Sequence, residues 1–375
     1  MVAAATVLEA MEHVDAGAME GLLEAIMKGG GCTDTEAAET ARHLVGANLS
    51  GHDSHGIVRI VRYHSWLRDG TLNPGRPLDP VLDTSTLIQF DGQRGIGQHL
   101  CFEATRVGIE RAREHGSAIV ALRRAGHIGR LGHYAEHAAA EGLVSVQFCN
   151  VARSQIVAPF GAAERTMSTN PVAIGIPHGE GGGDPFILDF ATAYVAEGKA
   201  LVAATGGKPL PSDALVTADG RITSDPDALY GPSATTPLPD PSQGSGALRT
   251  MGEHKGSGLA LACELLAGAL TGNGTNASDR VFGNGWLAIF LDPGRLDDTS
   301  GFATEVAAYV AKVRGARPAA GVDKVKIPGD VERATKAARL AEGIPLSSRL
   351  LDAIFGVAEE LQLGTRRADV LFKGK

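Results

Sequence analysis

Residues 53–63 hold a dense group of side chains that could do chemistry: Asp53-Ser54-His55-Gly56, then Arg59 and Tyr63. On helical spacing, His55, Arg59 and Tyr63 stand four residues apart and line one face. An imidazole moves a proton near pH 7. A guanidinium grips a carboxylate with two parallel bonds. A phenol adds a directional hydrogen bond. A proton donor beside a carboxylate clamp is what reduction of a 2-oxo acid requires. The same residues would also serve as a solvated helix start, so the cluster alone leaves both readings open.

Two other patterns suggest different chemistry. His133-x-x-Glu136-His137 repeats the inverted zinc-protease motif, with the histidines on one helix face and Glu136 as a base. That pattern would make a zinc-dependent hydrolase, but it needs a third ligand, and the alanines around it fit an ordinary solvated helix. Gly95-x-Gly97 lies between a strand and a helix, as a dinucleotide fingerprint does. Leu100 replaces the third glycine, however, and no acid follows a second strand at the offset of about 20 residues. A Rossmann fingerprint is therefore rejected.

The elements that must position these residues follow from apolar spacing and stop signals. Helices are expected at Ala18–Met27, Glu36–Leu49 (capped by Thr33 or Asp34), Arg59–Arg68, Cys101–His115, Tyr134–Glu141 and Ala193–Ala204, the last ending at Thr205-Gly206-Gly207. Strands are expected at Leu87–Phe90, Ala118–Leu122, Val144–Phe148, Phe186–Phe190 and Trp286–Leu291. Leu210–Gly246, rich in Pro, Asp, Ser and Gly, reads as a long loop of functional or subunit-contact type. Leu259–Leu270 reads as a buried helix. Helices Ala303–Arg314, Val331–Glu342 and Ser347–Glu360 close the chain. Alternating strands and helices through the middle imply an α/β fold with a largely parallel or mixed sheet.

The chain has 375 residues, of which 43% are hydrophobic and 21% charged, so it can bury a sizeable core and is not a disordered chain. With a net charge of −8 and no basic block, a nucleic-acid or anionic-membrane partner is disfavoured. Cys32, Cys101, Cys149 and Cys263 are far apart, which argues against a disulfide framework or a cysteine zinc site. With no signal-peptide order and no long apolar run, the chain is expected to be soluble and cytoplasmic.

The ordered set of motifs resembles the malate/L-lactate dehydrogenase family of non-Rossmann NAD(P)-dependent oxidoreductases, which includes hydroxycarboxylate, sulfolactate and ureidoglycolate dehydrogenases and cyclic-imine carboxylate reductases. The resemblance runs nearly end to end. It takes in Ser54-His55-Gly56 with Arg59 and Tyr63, Gly126-His127-Ile-Gly129, Ala158-Pro159-Phe-Gly161 and Ser168-Thr169-Asn170-Pro171. Leu188-Asp189-Phe190-Ala191-Thr192, Lys208-Pro-Leu-Pro211, Gly252-Glu-His254-Lys255-Gly256 and Ile327-Pro328-Gly329-Asp330 complete it.

The resemblance implies a mixed-sheet, non-Rossmann α/β fold and a homodimer using NAD or NADP on a small 2-oxo or 2-hydroxy acid. It implies an N-terminal helical and substrate segment (1–120), a cofactor-binding segment (121–300) and C-terminal helices (301–375) returning to the N-terminal part. Proton transfer would fall to Ser54, His55, His127 and Asp189, with Asp189 beside a histidine to raise its pKa and fix its tautomer. The substrate would be held by Arg59 and Tyr63. Nucleotide contacts would come from Asn170, Leu188–Thr192, His254, Lys255 and Pro328–Asp330. Local spacing favours His55 over His127 as the proton donor, with His127 on the substrate oxygen or carboxylate. Ser168, Ala193 and Asp330 depart from the family's usual Gly, Ser and Glu, and Ala193 removes a hydroxyl that bears on cofactor preference.

Overall fold

Capping chemistry fixes where the N-terminal helices begin. Asp15 caps Ala16–Gly29 through the Ala18 N–H, and Thr33 caps Asp34–Leu49 in a reciprocal capping box with Glu36. The computed structural model describes residues 11–178, 183–204, 209–231, 241–277, 282–296 and 301–374. The expected Thr205–Gly207 turn, Lys208 and the middle of the Leu210–Gly246 stretch (232–240) lie outside the described residues.

The central sheet has seven strands in the order Pro80–Asp83, Leu87–Asp91, Ser117–Ala125, Gly283–Leu291, Val144–Ala152, Val172–Ile176 and Phe186–Phe190. Within it one pair is parallel, Leu87–Asp91 with Ser117–Ala125, and the other neighbours are antiparallel. The sheet is therefore mixed, and a largely parallel arrangement is excluded. The late strand Gly283–Leu291 inserts between two earlier strands and runs against both, and three further antiparallel pairs join strands that follow one another in the sequence.

Helix Gly97–His115 covers the sheet with Leu100, Cys101, Ala104, Ile109 and Ala112. Gly108 lets the two layers close, since a Cβ there would lie 2.3 Å from the Phe290 ring. Helix Gly132–Ala140 packs Tyr134, Ala135 and Ala138 into the same core. A second core joins residues 14–72 to the C-terminal segment 344–370, with Leu23, Ile60, Tyr63, Leu351 and Ile354 at its centre. A smaller cluster gathers Val157, Ala193, Leu215, Tyr230 and Leu248.

Three expectations need correction. The helix expected from Ala193 starts at Glu197, because Thr192 and Tyr194 spend their backbone groups on Thr169, Met251 and Arg249. The Leu210–Gly246 stretch is not a bare loop; it carries the strands Leu215–Val216 and Ile222–Thr223 and the turn of helix Asp227–Tyr230. Leu259–Leu270 is α-helical to Cys263 and then π-helical over Glu264–Leu270, and it is not buried throughout. Leu261, Leu265 and Leu270 are 48%, 51% and 68% exposed. The four cysteines are buried, unpaired thiols. Among the described residues no helix is long and apolar enough to cross a membrane.

Candidate active site

The Ser54–His55 motif does not belong to the helix that follows it. Asp53–His55 is a 3-10 turn, and helix Arg59–Arg68 starts four residues later. The turn is built from the end of helix Asp34–Leu49. Asn48 Oδ1 accepts the Ile57 N–H at 2.6 Å, and Asn48 Nδ2 donates to Asp53 Oδ1 at 2.6 Å. Gly56 is required there, because a Cβ would meet Asn48 Oδ1 at 2.0 Å. Arg339, from helix Asp330–Glu342, clamps Asp53 and the Asn48 carbonyl.

His127 arrives from the far side, on the loop after strand Ser117–Ala125, and the two imidazoles stack with centroids 5.6 Å apart and planes 16° from parallel. Ser54 Oγ lies 3.0 Å from His55 Nδ1. Tyr63 Oη lies 2.6 Å from His127 Nδ1 and accepts from Gln98 Nε2 at 2.6 Å. The hydroxyl of Tyr63, a residue expected to meet the substrate, is buried and bonds to His127 and Gln98. Arg59 donates from Nε to the Ser54 carbonyl at 2.6 Å, and its Nη2 faces Glu197 at 3.5 Å. Half of the expected fork is thus spent on orienting the arginine. Glu197 is itself held by the Tyr230 hydroxyl at 2.9 Å.

The electrostatics of the pair are set by desolvation and by neighbouring cations. Burial, then Arg59, hold His55 down to about 3. Burial, then Arg59 and His55, hold His127 well below the usual imidazole value. Both rings are therefore neutral at neutral pH. The same burial raises the Tyr63 phenol, so it stays protonated.

Asp189, expected near a histidine, has the charge of His52 acting on it. Its Oδ2 accepts the Gly132 N–H at 2.8 Å, at the start of helix Gly132–Ala140. Burial raises its pKa, while His52, Arg130 and that backbone bond oppose the rise. Arg130 is buried and pairs with Glu136 at 2.5 Å, and its Nε and Nη1 have no hydrogen-bond partner among the described residues. A Cβ on Gly132 would meet Arg130 Nη1 and Asp189 Oδ2, each at 2.7 Å. Two unsatisfied donors therefore sit by a carboxylate where only a glycine leaves room.

The segments expected to contact nucleotide fall into two groups. Pro328 O accepts the Ile187 N–H at 3.4 Å, which sets Pro328–Asp330 against the strand bearing Leu188, Asp189 and Phe190. Asp330 is already engaged by Arg314, Arg333 and the Ile327 N–H, and these hold its carboxyl down at about 2 against the effect of burial. In the second group, Thr192 bonds to Thr169 O, Met251 N donates to Thr192 O at 2.9 Å, and Ala191 follows the strand end. His254 and Lys255 are exposed at the next helix start, after that turn. Asn170 is buried; its Nδ2 donates to Ala260 O and Glu264, and its Oδ1 has no partner among the described residues. The orphaned donors of Arg130 and the orphaned acceptor of Asn170 fit a nicotinamide nucleotide, which carries phosphates and an amide. Arg130, Asn170 and the backbone around Asp189–Thr192 are the residues that could hold it.

The hydrolase alternative fails on geometry. His133 Nε2 faces Glu39 at 3.1 Å, Glu136 pairs with Arg130, and His137 packs on Phe102 at 4.7 Å. Among the described residues no three His, Cys, Asp or Glu side chains are placed to hold a metal. Sequence reasoning missed Gln98, Asn48, His43, Arg130 and Glu197. A lone polar residue carries no periodic signal; the Gly97 next to Gln98 was the one local hint.

Comparison with known proteins agrees with this architecture. The malate/L-lactate dehydrogenase family profile matches residues 14–354. The chain is 39% identical over 306 residues to an L-lactate dehydrogenase from Cupriavidus necator, covering 80% of this chain and 84% of that one. It is 34% identical over 361 residues to hydroxycarboxylate dehydrogenase B from Escherichia coli, covering 94% and 96%. Among solved structures it is similar to sulfolactate dehydrogenase from Methanocaldococcus jannaschii, with a TM-score of 0.80, 29% identity, and 93% and 97% of the two chains covered. These relatives are oxidoreductases, L-lactate and hydroxycarboxylate dehydrogenases among them. The chain belongs to the malate/L-lactate dehydrogenase family.

Proposed function

We propose that this protein interconverts a small 2-oxo acid and its 2-hydroxy acid with NAD or NADP, and that His127 is the proton donor in the direction of reduction. The observation that carries the reading is the stacked His55–His127 pair, with Arg59 on one side and the Tyr63 hydroxyl fixing His127 from the other. The cofactor, when bound, supplies or accepts a hydride at the 2-carbon.

Arg59 holds the substrate carboxylate with the guanidinium edge left after Ser54 takes its Nε. That carboxylate offsets the Arg59 charge, which adds to the larger effect of burial in keeping both histidines neutral, and so favours a proton on the site. His127 then places that proton on the carbonyl oxygen as negative charge grows there. Such acid catalysis contributes about 10²–10⁴-fold. His127 is preferred over the locally favoured His55 because its ring is anchored through two buried side chains, Tyr63 and Gln98. Among the described residues His55 has the neighbouring Ser54 hydroxyl as its side-chain partner. Asp189, bonded to Gly132, serves the cofactor side.

The test is a panel of 2-oxo acids (oxaloacetate, pyruvate, hydroxypyruvate, sulfopyruvate) and a cyclic imine acid with NADH and NADPH, followed at the nicotinamide absorbance. Turnover of a 2-oxo acid is expected. Turnover of the imine alone would replace the substrate class, and no turnover with any of them would remove the reading. The reading includes a homodimer, supported by the exposed Leu261, Leu265 and Leu270 along one helix. An active monomer by light scattering at assay concentration would remove that part.

A further inference from the structure

Hydrogen-bond direction along the Gln98–Tyr63–His127 chain carries information that proximity alone does not. An amide NH₂ only donates. Gln98 Nε2 donates to Tyr63 Oη, and the phenolic proton finds no other acceptor among the described residues than His127 Nδ1, which therefore accepts it. The neutral ring is left with its proton on Nε2. Gln98 and Tyr63 are 2% and 1% exposed, so water does not readily replace either link. Gln98 reaches Tyr63 because helix Gly97–His115 starts hard against the His127 loop, where a Cβ on Gly97 would sit 2.3 Å from Gly126 O and 2.5 Å from His127 O.

We propose that Gln98 is a positioning residue that sets, through the Tyr63 hydroxyl, which nitrogen of His127 carries the proton, and that its amide serves both protonation states of the ring by turning over. In the state described, the amide N–H donates to Tyr63 and the phenol donates to Nδ1. When the ring takes a proton from solvent at Nδ1, the chain reverses: Nδ1–H donates to Tyr63 Oη, and the phenol donates to Gln98 Oε1. The Nε2 proton is then the one released to the substrate oxygen, and Nδ1–H stays in place. The ring returns to its starting tautomer when Nε2 takes a proton from solvent and Nδ1 gives its own back, so the net exchange is one proton in from solvent and one out with product. A side chain that could only donate or only accept would block one of the two states. The other groups facing His127 are Arg59 and Arg62 on helix Arg59–Arg68, His55 on the 3-10 turn and His43 on helix Asp34–Leu49. Their charges act on the ring in either state, but none of them makes this bond.

The proposal rests on the reading of His127 as proton donor, and the experiment separates the two. The ring nitrogens of His127 are followed by ¹⁵N NMR across pH in the ligand-free protein, with His127→Ala for assignment. The wild type should show a neutral ring with its proton on Nε2. Gln98→Glu, which presents an acceptor only, should move the proton to Nδ1 and raise the titration by about one pH unit or more. In an active enzyme, the limb of the pH–rate profile that falls as the imidazolium deprotonates should rise with it. Gln98→Met, and Tyr63→Phe as a second break in the chain, should lose the tautomer preference and cut kcat about tenfold. Identical His127 nitrogen shifts and titration in wild type and a folded Gln98→Glu would overturn the proposal. If Gln98→Glu does not fold, unchanged shifts in Tyr63→Phe would overturn it equally. If the nitrogens respond as expected while His127→Ala keeps normal kcat, the relay stands and the proton-donor reading falls.

Discussion

The loop Gly126–Leu131 and the turn Gly51–Gly56 each present one histidine to the site, but they are fastened by different kinds of bond. Around His127 the backbone is held by neutral, buried partners. Gly126 N donates to Gly95 O at 3.0 Å, Ile128 N to Asn284 Oδ1 at 2.9 Å, and Arg130 N to His43 Nε2 at 2.7 Å. The Tyr134 hydroxyl donates to Ile128 O at 2.5 Å. Gly129 is needed for this, since a Cβ would lie 2.2 Å from His43 Nε2. Around His55 the buried Asn48 bonds are supplemented by a charged pair nearer to water: Arg339 pairs with Asp53 at 2.5 Å, their side chains 17% and 52% exposed. Bonds of the first kind ignore salt, and those of the second are screened by it. The difference assigns a fixed orientation to His127 and a softer one to His55.

The sharpest way to break this comparison is to remove each ring. His127→Ala should lower kcat by roughly 10²-fold or more with cofactor binding retained, and His55→Ala should lower it less. Steady-state kinetics with a cofactor titration reads both, and the opposite order would transfer the acid role to His55. Next in size is Arg59→Lys, which keeps the charge but loses the planar fork. A lost charge-assisted bond of about 1.5–3 kcal/mol corresponds to a KM increase of about tenfold to a hundredfold, with little change in cofactor affinity. An unchanged KM for every accepted acid would count against that role.

Stability against pH tests the buried side of the comparison. Burial holds His43, His55 and His127 neutral in the fold, below their unfolded values. The unfolded chain therefore binds protons first as pH falls. Their contribution is complete above the unfolded imidazole value of about 6.5 and is lost on descending below it. For His55 the loss runs down to about 3. Tm should fall between neutral and mildly acid pH, and His43→Gln should make that fall shallower; an equal slope in both proteins would exclude His43 from it. The smallest effect is expected from Asp53→Asn, about 1 kcal/mol or less in denaturant titrations and shrinking in high salt. A salt-independent loss would show that the turn is not held by the Arg339 pair.

Much of the scaffold was legible because it is written in local signals. Thr33 before Asp34 and Glu36 announces a cap, Arg59–Arg68 keeps helical spacing, and Phe186–Phe190 appears as the strand expected. The π-helical turn at Glu264–Leu270 was not legible, because it depends on partners elsewhere: Glu264 accepts from Asn170 and from Asn276 N. In the site, His55, Arg59 and Tyr63 were visible as a group, and His127 was visible as a motif. What joins them was not. Tyr63 meets Gln98 across 35 positions and His127 across 64, and Arg130 meets His43 across 87. Spacing rules see three or four residues along a helix. The bond from Asp189 to an N–H at a helix start 57 residues earlier was invisible for the same reason.

The hydrogen-bonded chain also crosses a boundary. Tyr63 is part of the core shared by the N- and C-terminal helices, whereas the His127 loop is rooted through Ile128 and Leu131 in the core under the sheet. Neither core contains both ends. Turnover therefore reports how the two halves are seated on each other, which the melting of either half does not. In a renaturing sample, helix and strand signals should return before activity does, and a ligand that bridges the seam would hasten the last step without altering the first.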